Sequence, residues 1–124
     1  MKPENIKKNL IVRLAFEFSL NIIKFCEKLE QHKKFIVARQ LLRSGTSIGA
    51  NIIEAQNAES KADFIHKFKI AAKEADETQY WLLLCQYSDN YPDCTQLLSK
   101  IDSISNVIGK IILTSKLNPT VKPK

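Results

Sequence analysis

A chain of 124 residues, 44% hydrophobic and 26% charged, is long enough for one domain with a real core and too apolar to stay disordered. Three glycines and four prolines, with Pro3, Pro119 and Pro123 near the ends, leave long uninterrupted periodic runs and point to an all-α fold. The formal charge of +6 suits a polyanionic partner, whether RNA, DNA or an acidic protein surface.

Lys7 and Lys8 precede no signal-peptide cleavage pattern, and Arg13, Glu17 and Lys24 interrupt the apolar run that follows. No membrane partner and a cytoplasmic location are therefore expected. Cys26, Cys85 and Cys94 are odd in number and lack Cys-x-x-Cys spacing, so they read as reduced thiols.

The first periodic segment runs from about Ile6 to Leu29. Leu10, Ile11, Leu14, Phe18, Ile22, Phe25 and Leu29 share the face that should meet the core. Val12, Phe16 and Ile23, with Leu20 at their edge, form a second apolar strip that a lone bundle leaves in water. A contiguous strip of this kind marks a subunit contact.

A polar turn at residues 30–33 leads into a second helix, roughly Lys34 to Ala58, around which the chain is organised. Val37, Leu41, Ile48, Ile52 and Ala55 fall on its apolar face. Gln40, Arg43, Ser47, Asn51 and Glu54 fall on a second face, with Gly45 and Gly49 nearby to admit another backbone. Single amides, a guanidinium, a hydroxyl and a carboxylate read as a buried, hydrogen-bonded seam between helices, with a ligand site as the alternative. One of Glu74 and Glu77 on the next helix is the expected partner of Arg43, whose planar fork suits carboxylates, with Gln40 and Asn51 filling the remaining donors and acceptors.

Ser60 begins a Ser-x-x-Asp capping box, so a third helix runs from there to about Ser88. Phe64, Ile65, Phe68, Ala71, Ala72, Ala75, Leu82 and Leu83 are its predicted inward residues. A turn ending in Pro92 opens a fourth helix, about Asp93 to Lys116, with Leu97, Leu98, Ile101, Ile104, Ile108, Ile111 and Ile112 inward. Residues 118–124 cannot continue it and read as a flexible basic tail. Four amphipathic segments joined by short turns predict an antiparallel up-and-down four-helix bundle over residues 1–117.

The run from Arg43 to Ala55, with Phe64 and the segment from Glu74 to Leu82, resembles the four-helix bundle family encoded by intervening sequences of bacterial 23S ribosomal RNA genes. Ser47 to Glu54 is the most specific part. The pattern departs at Gln31-His32, where the family often has Phe-Pro. The resemblance implies a bundle that assembles into a ring, commonly a homopentamer. It also implies kinship with accessory proteins of diversity-generating retroelements, which bind a reverse transcriptase and nucleic acid.

No residues form an enzyme site by pattern. Asp63-x-x-His66 is one half of a carboxylate-bridged metal motif and lies off the Phe64/Phe68 face, so no metal or other cofactor is expected. Ser44 and Ser47 lack a base, the cysteines lack a neighbouring His, and Gly45-x-x-x-Gly49 lacks the strand and Gly-Lys ending of a phosphate loop. His66, Lys69, Lys73, Tyr80 and Tyr87 line the outer side of the third helix, interrupted by Asp76. Lysines neutralise phosphates and tyrosines stack on unpaired bases, which makes this stripe the nucleic-acid candidate. The rival reading is a scaffold that docks on a protein such as a reverse transcriptase or a ribosomal component.

Overall fold

The computed structural model describes residues 1–117; the expected tail, with Lys122 and Lys124, lies outside the described residues. Five helices follow in order: α1 (Pro3–Ile6), α2 (Leu10–Gln31), α3 (Phe35–Ala55), α4 (Lys61–Tyr87) and α5 (Thr95–Leu117). The last four make the bundle. Contacts between neighbours step down one helix as they step up the next, which is the signature of antiparallel packing. Between α2 and α3 they pass from Cys26 against Ala38 to Asn9 against Gln56; between α3 and α4, from Arg43 against Glu77 to Glu54 against Lys67. α5 packs on α4 and closes the bundle against α2.

Local chemistry sets the boundaries. The first segment does not run on from Ile6 as its periodicity suggests, because Asn9 breaks it. The Asn9 side chain caps α2 by accepting from the backbone N–H groups of Ile11 (3.1 Å) and Val12 (3.3 Å). Its amide also donates to Gln56 Oε1 at 3.3 Å, tying the start of α2 to the end of α3. At the other end of α2, Lys33 N–H bonds to Glu30 O and Lys34 N–H to Leu29 O, a Schellman closure. That closure requires the left-handed φ of 62° at Lys33, a position glycine normally fills. Ser60 accepts from Asp63 N at 3.0 Å, as the capping box predicts. α5 begins at Thr95, slightly later than expected, where Asp93 accepts from both the Thr95 backbone N–H and its hydroxyl.

Phe18, Ile22, Leu41, Ile48, Ile52, Phe68, Leu82, Ile101 and Ile108 are fully buried at the centre. Gly45 leaves α3 unbroken and lets it approach α2: a methyl there would sit 2.9 Å from Ile22 Cγ2. A methyl on Gly49 would lie 3.4 Å from Ser19 Oγ. Two predicted core residues face out instead. Leu10 opens the first turn of α2 after the Asn9 break, and Leu83 lies one residue past the buried Leu82 on a narrower face than the pattern implied.

Val12 is the opposite correction. Assigned to the exposed strip, it is only 2% exposed. Residues of the short N-terminal arm and the end of α3, among them Met1, Asn5, Ile53 and Gln56, gather around it. The turn of α1 was invisible as a separate element in the periodicity, so its cover over Val12 was missed.

Candidate nucleic-acid interface

The polar face of α3 meets α4 as a ladder of short contacts. Arg43 Nη1 donates to Glu74 Oε1 at 3.1 Å, and Nη2 donates to Glu77 Oε2. Trp81 Nε1 donates to the same Glu77 oxygen at 3.0 Å. Further down, Lys67 Nζ reaches Glu54 at 3.0 Å. Inside this outer row, the Ser44 and Thr78 hydroxyls share a buried hydrogen bond of 3.0 Å, and Thr78 also donates to Glu74 O at 2.7 Å.

Arg43 pairs with both Glu74 and Glu77, where the sequence reading expected one of them, and the seam is not buried. The Arg43 side chain is 49% exposed. Gln40 and Glu54 face solvent; Ser47 and Asn51 spend their hydrogen bonds on carbonyls one turn back in α3, those of Arg43 and Ser47. None of these four joins the Arg43 cluster. The physical reason is register: the side of α3 that meets α4 most closely passes through Ser44, so the helical positions beyond it ride outward to the rim. Ser44 and Thr78, which carry the buried polar contact, look too small and unremarkable in sequence to be singled out.

Electrostatics follow the geometry. The hydrogen bond with Glu77, aided by the charges of both carboxylates, raises Arg43 above its ordinary value. Hydrogen bonds from Arg43 and then Trp81 hold Glu77 below the usual carboxylate range. The Glu54 hydrogen bond raises Lys67. Arg43 and Lys67 are therefore already neutralised within the chain.

The outer face of α4 differs. His66, Lys69, Lys73, Tyr80 and Tyr87 are all exposed along it, with Leu84 joining them between the two tyrosines. Among the described residues, the ammonium groups of Lys69 and Lys73 have no carboxylate or hydrogen-bond partner. Tyr80 stacks edge-on to Trp81 at 6.0 Å between centroids, which steadies the ring while leaving it open to solvent.

On α2 the strip survives without Val12. Phe16 is 38%, Leu20 45% and Ile23 41% exposed. Leu42 of α3 is also exposed.

The sequence profile of the 23S rRNA-intervening sequence protein family matches residues 7–110, which include α2, α3, α4 and most of α5. The chain belongs to that family. Its fold is also that of a crystallised protein of unknown function from the S23 ribosomal protein family of Bacteroides thetaiotaomicron VPI-5482. The two share 41% identity and a TM-score of 0.78 over 84% of this chain and 96% of that one. No curated protein matches the chain.

Within this family member, no group of three or more His, Cys, Asp or Glu is placed to hold a metal among the described residues. No helix there is long and apolar enough to cross a membrane. One surface escaped the sequence reading altogether: a groove between α2 and α5 lined by Lys24, Lys28 and Lys100. Its signal was the line Glu17, Asn21, Lys24, Lys28 at helical spacing on α2, which reads as an ordinary solvated face until α5 is placed beside it.

Proposed function

We propose that this family member is a non-enzymatic, self-associating bundle that binds nucleic acid, RNA foremost, through its basic outer surface. The observation that carries this reading is the contrast between paired and unpaired cations. Arg43 and Lys67 are spent on internal carboxylates, whereas Lys69 and Lys73 stand free beside exposed Tyr80 and Tyr87. Free ammonium groups neutralise phosphates, and exposed rings supply stacking platforms for unpaired bases. The family's name, and that of the crystallised neighbour's family, both point to a ribosomal RNA context.

Self-association rests on Phe16, Leu20 and Ile23, a strip too continuous for ordinary surface scatter. A closed ring, the pentamer of the resemblance, would repeat each basic surface around its circumference and turn weak sites into an avid one.

The test is fluorescence anisotropy with labelled RNA at several salt concentrations. Wild type should bind, and Lys69→Gln with Lys73→Gln should lower the log–log salt slope by about 1.4 to 1.8, at roughly 0.7–0.9 per phosphate contact. Tyr80→Ala and Tyr87→Ala should weaken single-stranded binding with little change in slope. Absence of binding by wild type at low salt would transfer the charge to an acidic protein partner.

A further inference from the structure

Among the neighbouring long helices, α2 and α5 pack against each other least extensively. Between α2 and α5 the helices leave a groove with two lobes, of about 510 and about 470 Å³, that share Asn21, Lys24 and Lys100 in their linings. The first lobe has an aliphatic and aromatic floor from Leu14, Phe18 and Ile104; the second carries Lys28 and Gln96 toward the start of α5. Lys24 and Lys28 lie one turn apart on α2, about 6 Å along its axis, with Lys100 opposite on α5. All three are exposed, and among the described residues none of their ammonium groups has a partner. The side-chain amides of Asn21 and Gln96 are equally uncommitted there. Two acids share the lining, Asp93 in the second lobe, kept ionised by hydrogen bonds from Thr95 and Gln86, and Glu17 at the far end of the first, so the three lysines outnumber the carboxylates.

We infer that this groove is a binding site for single-stranded nucleic acid, distinct from the α4 stripe. The inference rests on the nucleic-acid reading above and gives it a second location and a strand preference. Three free ammonium groups on two opposed helices suit successive phosphates of one strand. Two uncommitted amides can meet base edges, which only unpaired bases present freely. The apolar floor gives those bases a surface to leave water against. A duplex is too broad for a furrow between two adjacent helices, so single strands are favoured. An acidic amphipathic helix could also engage the lysines, the floor and the amide N–H groups, so a Glu- and Leu-rich peptide is the competitor in the test.

The experiment titrates the full chain with a ten-nucleotide unstructured RNA, with a hairpin duplex, and with a Glu- and Leu-rich helical peptide. Binding is followed by anisotropy over a salt series and by methyl NMR at Leu14 and Ile104. The expected result is single-strand binding ahead of duplex, methyl shifts at these residues, and a salt slope lower by about 2 in Lys24→Gln/Lys28→Gln/Lys100→Gln, at roughly 0.7 per single-strand contact. Because all three lysines are exposed, the triple variant should keep its helicity and oligomeric state, which are measured alongside. RNA binding that keeps its full slope in this variant but loses it on Lys69→Gln/Lys73→Gln overturns the groove and leaves the general reading intact. Failure to bind either RNA overturns both, and groove methyl shifts with the acidic peptide alone assign the site to a protein.

Discussion

Arg43 holds two carboxylates, yet nearly half of its side chain is in water. Exposed ion pairs contribute little, so Arg43→Ala should cost less than about 1 kcal/mol in urea unfolding, against the 3–5 kcal/mol typical of breaking a buried pair. Thr78→Val probes the fully buried contact behind it. Losing the hydroxyl's bonds with Ser44 and with Glu74 O while keeping the side-chain shape should cost about 1–2 kcal/mol. The two variants together locate the energy of the α3–α4 contact, and a larger loss for Arg43→Ala than for Thr78→Val would reverse that assignment. pH gives a third reading. Glu77 is held below its ordinary value in the folded state, so its contribution is present above the unfolded carboxylate pKa and is lost as pH falls through the lower folded value. Stability of wild type should therefore decline in acid slightly more than that of Arg43→Ala.

At the scale of the helix, Gly45 and Gly109 make opposed predictions from the same substitution. A methyl at Gly109 meets nothing within 4 Å, so Gly109→Ala should stabilise by up to about 1 kcal/mol through helix propensity. The same change at Gly45 drives Cβ into Ile22, and overpacking of roughly 1–3 kcal/mol should exceed the propensity gain. Thermal melts of the two variants should move in opposite directions. The elements themselves were legible because buried residues such as Phe18, Ile22, Phe25 and Leu29 on α2 and Leu97, Ile101, Ile104 and Ile108 on α5 recur at helical spacing, and Ser60 announces its helix by side-chain chemistry. Asn9 was not legible as a boundary, being a cap inside an apolar-looking run; the turn at residues 30–33 was, though not that Lys33 would do a glycine's task in it. The site was read less well than the fold. Spacing places residues on a face, but only the neighbouring helix decides whether that face is core, rim or groove, as Val12, Gln40 and Lys100 each demonstrate.

For the whole molecule, the open question is what covers Phe16, Leu20 and Ile23. Phe16→Glu should convert a larger wild-type species into a monomer in light scattering, since a carboxylate would enter a desolvated contact. The monomer should retain its helicity, because Phe16 lies outside the core. A monomeric wild type at micromolar concentration would end the assembly proposal. Leu20 also lines the α2–α5 groove, so assembly and RNA binding should be measured on the same variant before either is credited to the other.

The three cysteines give the bundle a chemical clock. All are buried; Cys26 donates to Ala38 O at 3.4 Å and Cys94 to Leu82 O at 3.2 Å. Burial, reinforced by neighbouring negative charge, pushes Cys26 and Cys94 up to about 12 and Cys85 to about 11. The thiolate is the reactive form, so alkylation must wait until a helix lifts and restores an ordinary pKa near 8.5. Labelling rates therefore time local opening, α2 from α3 at Cys26 and the start of α5 from α4 at Cys94. Peptide mass spectrometry should find Cys94 modified first, because it sits just before the first turn of α5, where helix ends fray. Equal rates at both would mean that the bundle opens only as a unit, all four long helices at once.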